Sequence, residues 1–400
     1  MHRQPLLSAE LVVLRAPTQA WSSQDGSMGS SALHGVYFGD VRVIASHAIT
    51  VDGATPEHIA TSAVDASTVR VVSLLRAQDD PGADPDVQLE LHRTAGVDSF
   101  TETVTITSRL DRPLSLAVRI ALDLDSSSMD AVKQGARSVS GGVTTQIDAG
   151  TGMLREGATL DTGSWSVGPN ADAVLTWTVD VPARGSGTAH WSARFTDAAA
   201  VVRGVDTPVP WKRPDPTGDE RLDRWLGRAL GDLDALRMTR AAASTDETSA
   251  VAGEAEAAGA GDARDPEFIA AGAPWFFTLF GRDSIWTARF LLPLGVRAAA
   301  DTLQVLAALQ GVRSDIQTAE QPGKIMHELR RGTTAVDDFE LPPLYYGTID
   351  ATPLWICLLH DAWRWGMPSA EVEALLRHLE AALAWMRDFG DADGDGLLEY

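Results

Sequence analysis

The sequence predicts a two-part protein, an antiparallel β-sandwich followed by antiparallel helices joined by long loops. Three observations carry this reading. Over about the first 200 residues apolar side chains recur at every second position, which lays them on one face of a sheet. A proline-rich segment, 207–216, keeps no such period. Beyond it apolar residues recur at three and four positions, the spacing of a helix face.

The strand pattern is clearest at Val87, Leu89 and Leu91, at Val104 and Ile106, and from Leu114 to Leu124 through Leu116, Val118, Ile120 and Leu122. Val174 to Val181 and His190 to Phe195 continue it, with Gly, Asp and Pro marking the turns. This predicts a sandwich domain over residues 1–205. Residues 206–218, with the run TPVPWKRPDP, are expected to be a stiff interdomain linker.

The expected helical domain covers residues 219–400. Leu222, Trp225, Leu226, Leu230, Leu233 and Leu236 mark its first helix. Residues 241–265, rich in Ala, Gly, Ser, Asp and Glu, read as a solvent-exposed flexible insertion. Asp283 or Ser284 is expected to cap a helix running toward Pro293. A second carries Leu303, Leu306 and Leu309 and ends near Gly311. Asp350 or Thr352 caps a third, with Pro353 in its first turn. The last spans Glu371 to Met386, with Val372, Leu375, Leu376, Leu379, Leu383 and Met386 toward a core. No strands alternate with these helices, which disfavours an α/β barrel.

Composition excludes several classes. Asp and Glu outnumber Lys and Arg by 55 to 33, a formal charge of −22, which argues against nucleic acid as a partner. The single cysteine, Cys357, rules out a disulfide framework and suits a reducing cytoplasm; its apolar neighbours predict a buried, inert thiol. The first residues lack an apolar core with a cleavage site, and no apolar run reaches membrane length, so neither secretion nor membrane insertion is expected.

Four polar constellations fall between the expected helices. Arg282 and Asp283 lie within an aromatic run from Trp275 to Trp286. Fixed guanidinium donors, a carboxylate acceptor and aromatic faces suit sugar rings, while an N-capping aspartate beside a structural arginine accounts for the same residues. Lys324, His327, Glu328 and Arg330 could orient a polyol or form a solvated loop with a local ion pair. No second histidine stands nearby to indicate a metal. Asp350 follows Tyr345 and Tyr346 and either caps a helix or also stands at its mouth. Asp391, Asp393, Asp395 and Gly396 match the first half of a calcium-binding EF-hand loop, and an acidic turn is the alternative.

The segments AGAPWFFTLFGRDS, QPGKIMHELR, YYGTIDATPLW and DADGDGLLEY, in this order, resemble the bacterial glycogen-debranching, amylo-α-1,6-glucosidase-like family. The resemblance extends over nearly the whole chain. It implies that the first half is that family's β-rich domain and the second is the first part of an (α/α)6 toroid of the glucoamylase-like clan. It implies that Arg282 and Asp283 hold a terminal sugar, with Trp275, Lys324, His327, Glu328 and Asp350 lining the pocket. The implied ligand is an α-glucan or a small α-glucoside. No cofactor is required; a structural calcium at Asp391, Asp393 and Asp395 rests on the EF-hand-like spacing of those residues, with an acidic turn as the alternative. The chain departs from the family at Gln321, where an acidic residue is common before Pro-Gly, in the loosely matching HGVYFGDVRV, and in the 241–265 insertion.

The implied reaction is inverting hydrolysis of an α-glucosidic bond, on α-1,6 branches of a glycogen-like glucan. It needs a carboxylic acid for the leaving oxygen and a carboxylate base for water. The resemblance places the acid shortly after DGDG and the base in a later loop, so no residue here is assigned to catalysis. The 400-residue chain is accordingly expected to hold part of a pocket and to be inactive alone. A non-catalytic carbohydrate-binding protein, or a hydrolase of another α-glucoside, is the alternative.

Overall fold

The computed structural model describes residues 7–76, 85–139, 142–150, 153–156, 159–161, 164–167, 172–241, 264–336, 339–391 and 393–399. The chain divides into two compact units, residues 1–199 with 228–235, and residues 200–227 with 236–400.

The first unit holds two antiparallel sheets. One has eight strands, in the order Leu11–Arg15, Thr18–Ser22, Gly35–Phe38, Val41–Val51, Leu114–Leu124, Asp172–Val181, Met153–Glu156 and Thr159–Asp161. The other has seven: Ser164–Val167, Val143–Asp148, Ser186–Asp197, Ser99–Ser108, Val87–Ala95, Thr68–Leu74 and Glu57–Ala63. The predicted alternation is realised. In Leu114–Leu124 every second residue is buried, and the same set from Val87, Leu89 and Leu91 meets it in one core. The HGVYFGDVRV segment forms a hairpin whose turn uses Gly39 at φ +56°, and Arg42 reaches across to Asp125 at 2.6 Å.

A polar network interrupts that core. Glu102 is fully buried. It accepts hydrogen bonds from His47 Nε2 at 2.7 Å, Arg93 Nε at 2.7 Å and Trp191 Nε1 at 2.8 Å. His47 stands on the eight-stranded sheet and the other three on the seven-stranded sheet, so the network ties the layers together. Burial raises a carboxyl, but the charges of His47 and Arg93 outweigh it and hold Glu102 at about 2.

The second unit carries helices. The helix α1 (Met129–Lys133) belongs to the first unit, and α2 (Glu220–Ala235) spans the point where the units divide. There follow α3 (Gly281–Phe290), α4 (Arg297–Ala307), α5 (Ala351–Arg364) and α6 (Ser369–Asp388). These are a few helices among the described residues, not a full (α/α)6 toroid. Short antiparallel strands interrupt the long loops that the sequence predicts between them, and no parallel barrel forms among the described residues. The proline-rich 207–216 segment is irregular yet tied down: Trp211 is buried under the Arg237 guanidinium, and Lys212 donates its N–H to Leu294. Of the 241–265 segment, 242–263 lie outside the described residues.

Several expectations are corrected. Helix α3 starts at Gly281, so neither Asp283 nor Ser284 caps it; the buried Ser284 hydroxyl donates instead to Ile269 O at 2.7 Å. Asp350 occupies the N-cap position of α5, but its carboxylate makes no capping bond. Helix α4 stops at Ala307, before Leu309 and Gly311. On α6, Leu375, Ala382 and Trp385 are buried while Leu376 and Leu383 are exposed; one helix turns only a narrow arc inward, and Trp385 fills it. Cys357 is exposed. Helix α5 buries Trp355, Leu358, Leu359 and Ala362, and residue 357 stands about 200° around the helix from 355.

Candidate functional site

Three of the four motifs are joined by one small sheet. Leu279–Phe280 pairs with Glu328–Leu329, which pairs with Leu344–Tyr345. The register sets Phe280 opposite Glu328 and Glu328 opposite Tyr345. Gly281 then opens α3 by donating its N–H to His327 O at 2.8 Å. A Cβ at this position would lie 2.3 Å from Met326 O, so the glycine of GRDS is required by the close approach of two backbones.

This stitching delivers Arg282 and Asp350 to each other, 68 residues apart in sequence. Arg282 Nη1 donates to Asp350 Oδ2 at 3.0 Å, and Thr348 Oγ1 donates to Oδ1 at 2.6 Å. Both partners keep substantial exposure, 49% and 35% of their side chains, so the pair is open to a ligand. Burial raises the Asp350 carboxyl, but the hydrogen bonds from Thr348 and Arg282 outweigh it and leave it below its ordinary value. Asp350 is therefore an ionised acceptor at neutral pH, with no tendency to serve as a proton donor.

His327 lies beside this pair. Its ring stands edge-on to Phe280 at 5.5 Å and to Tyr345 at 6.0 Å. Burial lowers its pKa, against the opposing charge of Glu328, and Arg282, Asp350 and Asp283 also act on it. The ring is thus neutral at pH 7. Asp283 is half-buried in the first turn of α3, and its carboxylate accepts no hydrogen bond among the described residues. Glu328 is buried and bound to Arg330 at 3.0 Å; Arg330 in turn donates to Trp275 O at 2.9 Å and lies 5.3 Å over the Phe280 ring.

The structure thus groups Arg282, Asp283, His327, Glu328 and Asp350. Lys324 points elsewhere. It is buried, its Nζ donates to Ala319 O at 3.3 Å and sits 5.4 Å over Trp385, and burial lowers its pKa. It belongs to the contact between its loop and α6. There Gln321 accepts from Trp385 Nε1 at 2.7 Å, and Gln310 donates to Gly323 O at 2.9 Å. Trp275 is buried, and the exposed rings of its run are Phe276 and Trp286. Thr348 escaped the sequence reading; the spacing Thr348-x-Asp350 at a helix start is the signal that marks it.

The carboxylates of Asp391, Asp393 and Asp395 bring one oxygen each within 4.8 Å of one another. Asp391 also accepts the N–H groups of Gly394 and Gly396, at 2.8 and 3.0 Å, and Asp393 that of Asp395 at 3.1 Å. Gly394 and Gly396 have φ of +80° and +87°, which only glycine adopts without strain. The hard oxygen donors fit calcium, and the carboxylates retain further lone pairs for it. The same N–H contacts also make a self-sufficient acidic turn.

Residues 13–192 match the family described as the N-terminal domain of (some) glycogen debranching enzymes. No curated protein matches the chain. Solved structures to which the chain is similar include a putative aldose 1-epimerase from Escherichia coli K12, at 8% identity and a TM-score of 0.29, covering 47% of this chain and 99% of the other. A galactose mutarotase-like protein from Clostridium acetobutylicum is similar at 5% identity and a TM-score of 0.31, covering 49% of this chain and 98% of that one. A putative kojibiose phosphorylase from the human microbiome is similar at 8% identity and a TM-score of 0.29, over 46% of this chain and 29% of its own length. Over residues 13–192, then, the sandwich of this chain matches the N-terminal domain of some glycogen debranching enzymes.

Proposed function

We propose that the chain recognises α-glucosides, as the sugar-binding part of an inverting glycoside hydrolase acting on α-1,6 branches of glycogen-like glucans. The observation that carries this reading is the open Arg282–Asp350 pair, at 3.0 Å, beside Asp283 and a neutral His327. It offers fixed donors, carboxyl acceptors and nearby aromatic edges in one place, as vicinal hydroxyls require. The match of residues 13–192 to a debranching-enzyme domain supports the same reading. The domain division at 1–205, 206–218 and 219–400, a cytoplasmic site of action and a structural calcium at Asp391, Asp393 and Asp395 are parts of it.

In this reading Asp350 accepts a sugar hydroxyl that Arg282 helps to orient, and Asp283 accepts a second. Asp350 is not the proton donor of hydrolysis. A general acid needs a raised pKa, whereas that of Asp350 is lowered. The lack of an assigned acid also keeps a second reading in view, a carbohydrate-binding protein without catalysis. Calorimetric titration with maltose and isomaltose tests recognition. Asp350→Asn removes a charged acceptor worth about 1.5–3 kcal/mol, so affinity should fall roughly 10- to 100-fold. Unchanged affinity in a folded variant rejects the site. Release of the inverted anomer, followed by NMR, separates the hydrolase from the binding protein.

A further inference from the structure

We propose that a glucan chain is held beyond the Arg282–Asp350 pair, along a strip between α3 and α5 that ends at a second arginine–aspartate pair. This rests on the recognition role proposed for the first pair. Helices α3 and α5 pack against each other. Arg282 and Arg289 are seven residues apart on α3, which returns them to nearly the same face, about 10 Å apart along the axis. Asp350, at the N-cap of α5, and Asp361, eleven residues on, also return to nearly one face, about 16 Å apart along the axis. The ends of the strip carry the same chemistry, since Arg289 Nε donates to Asp361 Oδ2 at 2.7 Å. This second pair is also partly exposed.

Between the pairs lies an aromatic floor. Trp286 follows Arg282 by one helical turn and is exposed at 36%. The Arg289 guanidinium sits 5.2 Å from the centre of its ring, and Phe290 stacks beside it at 5.6 Å with 28° between the planes. On α5 the same face carries Leu354 and the exposed Cys357.

This alternation selects the occupant. An apolar helix laid on the strip would strip water from two ion pairs and return no hydrogen bonds. A glucan chain supplies hydroxyls to each arginine–aspartate pair and turns the apolar faces of its rings to Trp286. The strip thus favours a chain of several sugar units over a single glucoside. An exposed ion pair by itself adds little to stability, so nothing in folding requires a second open pair at this spacing.

The test compares maltose with maltohexaose on the 400-residue chain, by tryptophan fluorescence and calorimetry. Trp286→Ala should weaken maltohexaose about fivefold to tenfold, the scale of one aromatic stacking contact, and leave maltose within about twofold. Maltohexaose should also slow alkylation of Cys357 by iodoacetamide, and maltose should not. Asp361→Asn, which leaves the Arg282 pair intact, should reproduce the selective loss. Equal effects of Trp286→Ala on both sugars, or no protection of Cys357 by bound maltohexaose, overturn the strip while the first site stands. If neither sugar binds, the recognition role falls and the strip with it.

Discussion

Replacing Glu102 by Gln should destabilise the sandwich more than any surface change, and the size of the loss follows from the network around it. Glu102 takes hydrogen bonds from His47, Arg93 and Trp191 in a site without solvent. Among the described residues Arg93 keeps Ser22 Oγ at 3.0 Å and Gly26 O at 2.7 Å as its other acceptors. Removing the carboxylate leaves a guanidinium buried without its counter-charge, which costs about 3–5 kcal/mol. The lowered pKa of the carboxyl leads to a similar figure. The carboxyl moves from its ordinary 4.5 to about 2 on folding, a difference worth about 3 kcal/mol. Because the folded value is the lower one, this contribution is complete above 4.5 and lost as pH falls through about 2. Roughly 2 kcal/mol of it is gone at pH 3. Hydrogen exchange at the Val104 and Ile106 amides, on the strand that carries Glu102, reads the stability of the sandwich by itself. Glu102→Gln should exchange faster at pH 7 and lose about 2 kcal/mol less than the parent between pH 7 and pH 3. The double variant Arg93→Met/Glu102→Leu should recover part of the loss, since neither charge is then buried. A single variant within 1 kcal/mol of the parent at pH 7, or an unchanged acid slope, refutes this account of the core.

Other outcomes follow from the second unit. Gly323→Ala should cost about 2 kcal/mol or more, because φ is +86° and its Cβ would lie 2.0 Å from Ala381 O; an unchanged melting temperature would contradict this. Calcium at a hundredfold excess over its Kd should stabilise the parent by about 2.7 kcal/mol and leave Asp393→Ala unaffected; no shift in the parent assigns Asp391, Asp393 and Asp395 to a turn. Cys357, being exposed, should react stoichiometrically with a thiol reagent without denaturant, and reaction only after unfolding would show it covered.

Legibility tracked the physical range of each signal. The strands from Val87 to Leu124 were readable because alternation is local and a one-residue slip would turn the whole apolar set to solvent. Helix positions were readable from spacing, but their ends were not. Asp283, Ser284 and Asp350 all look like N-caps in sequence. In the structure their oxygens bind across the fold or stand open, at Ile269 for Ser284 and at Arg282 and Thr348 for Asp350. Composition suggested a buried Cys357, yet the arc that α5 turns inward excludes it. The buried Glu102 network lay in plain view as residue types, but nothing local connects His47, Arg93 and Trp191 to it.

The sequence by itself determined the two-part plan, the faces of the long strands and the chemical types available for a sugar site. These depend on the period of a chain segment and on the chemistry of single residues. The tertiary structure alone decided which groups meet. Phe280, Glu328 and Tyr345 come into register only through a three-stranded pairing that spans more than sixty residues. That pairing sets Arg282 against Asp350 and His327, while Lys324 is drawn away to Trp385 by the packing of α6. Side-chain hydrogen bonds act over about 3 Å, and only the folded backbone brings residues from distant segments within that distance.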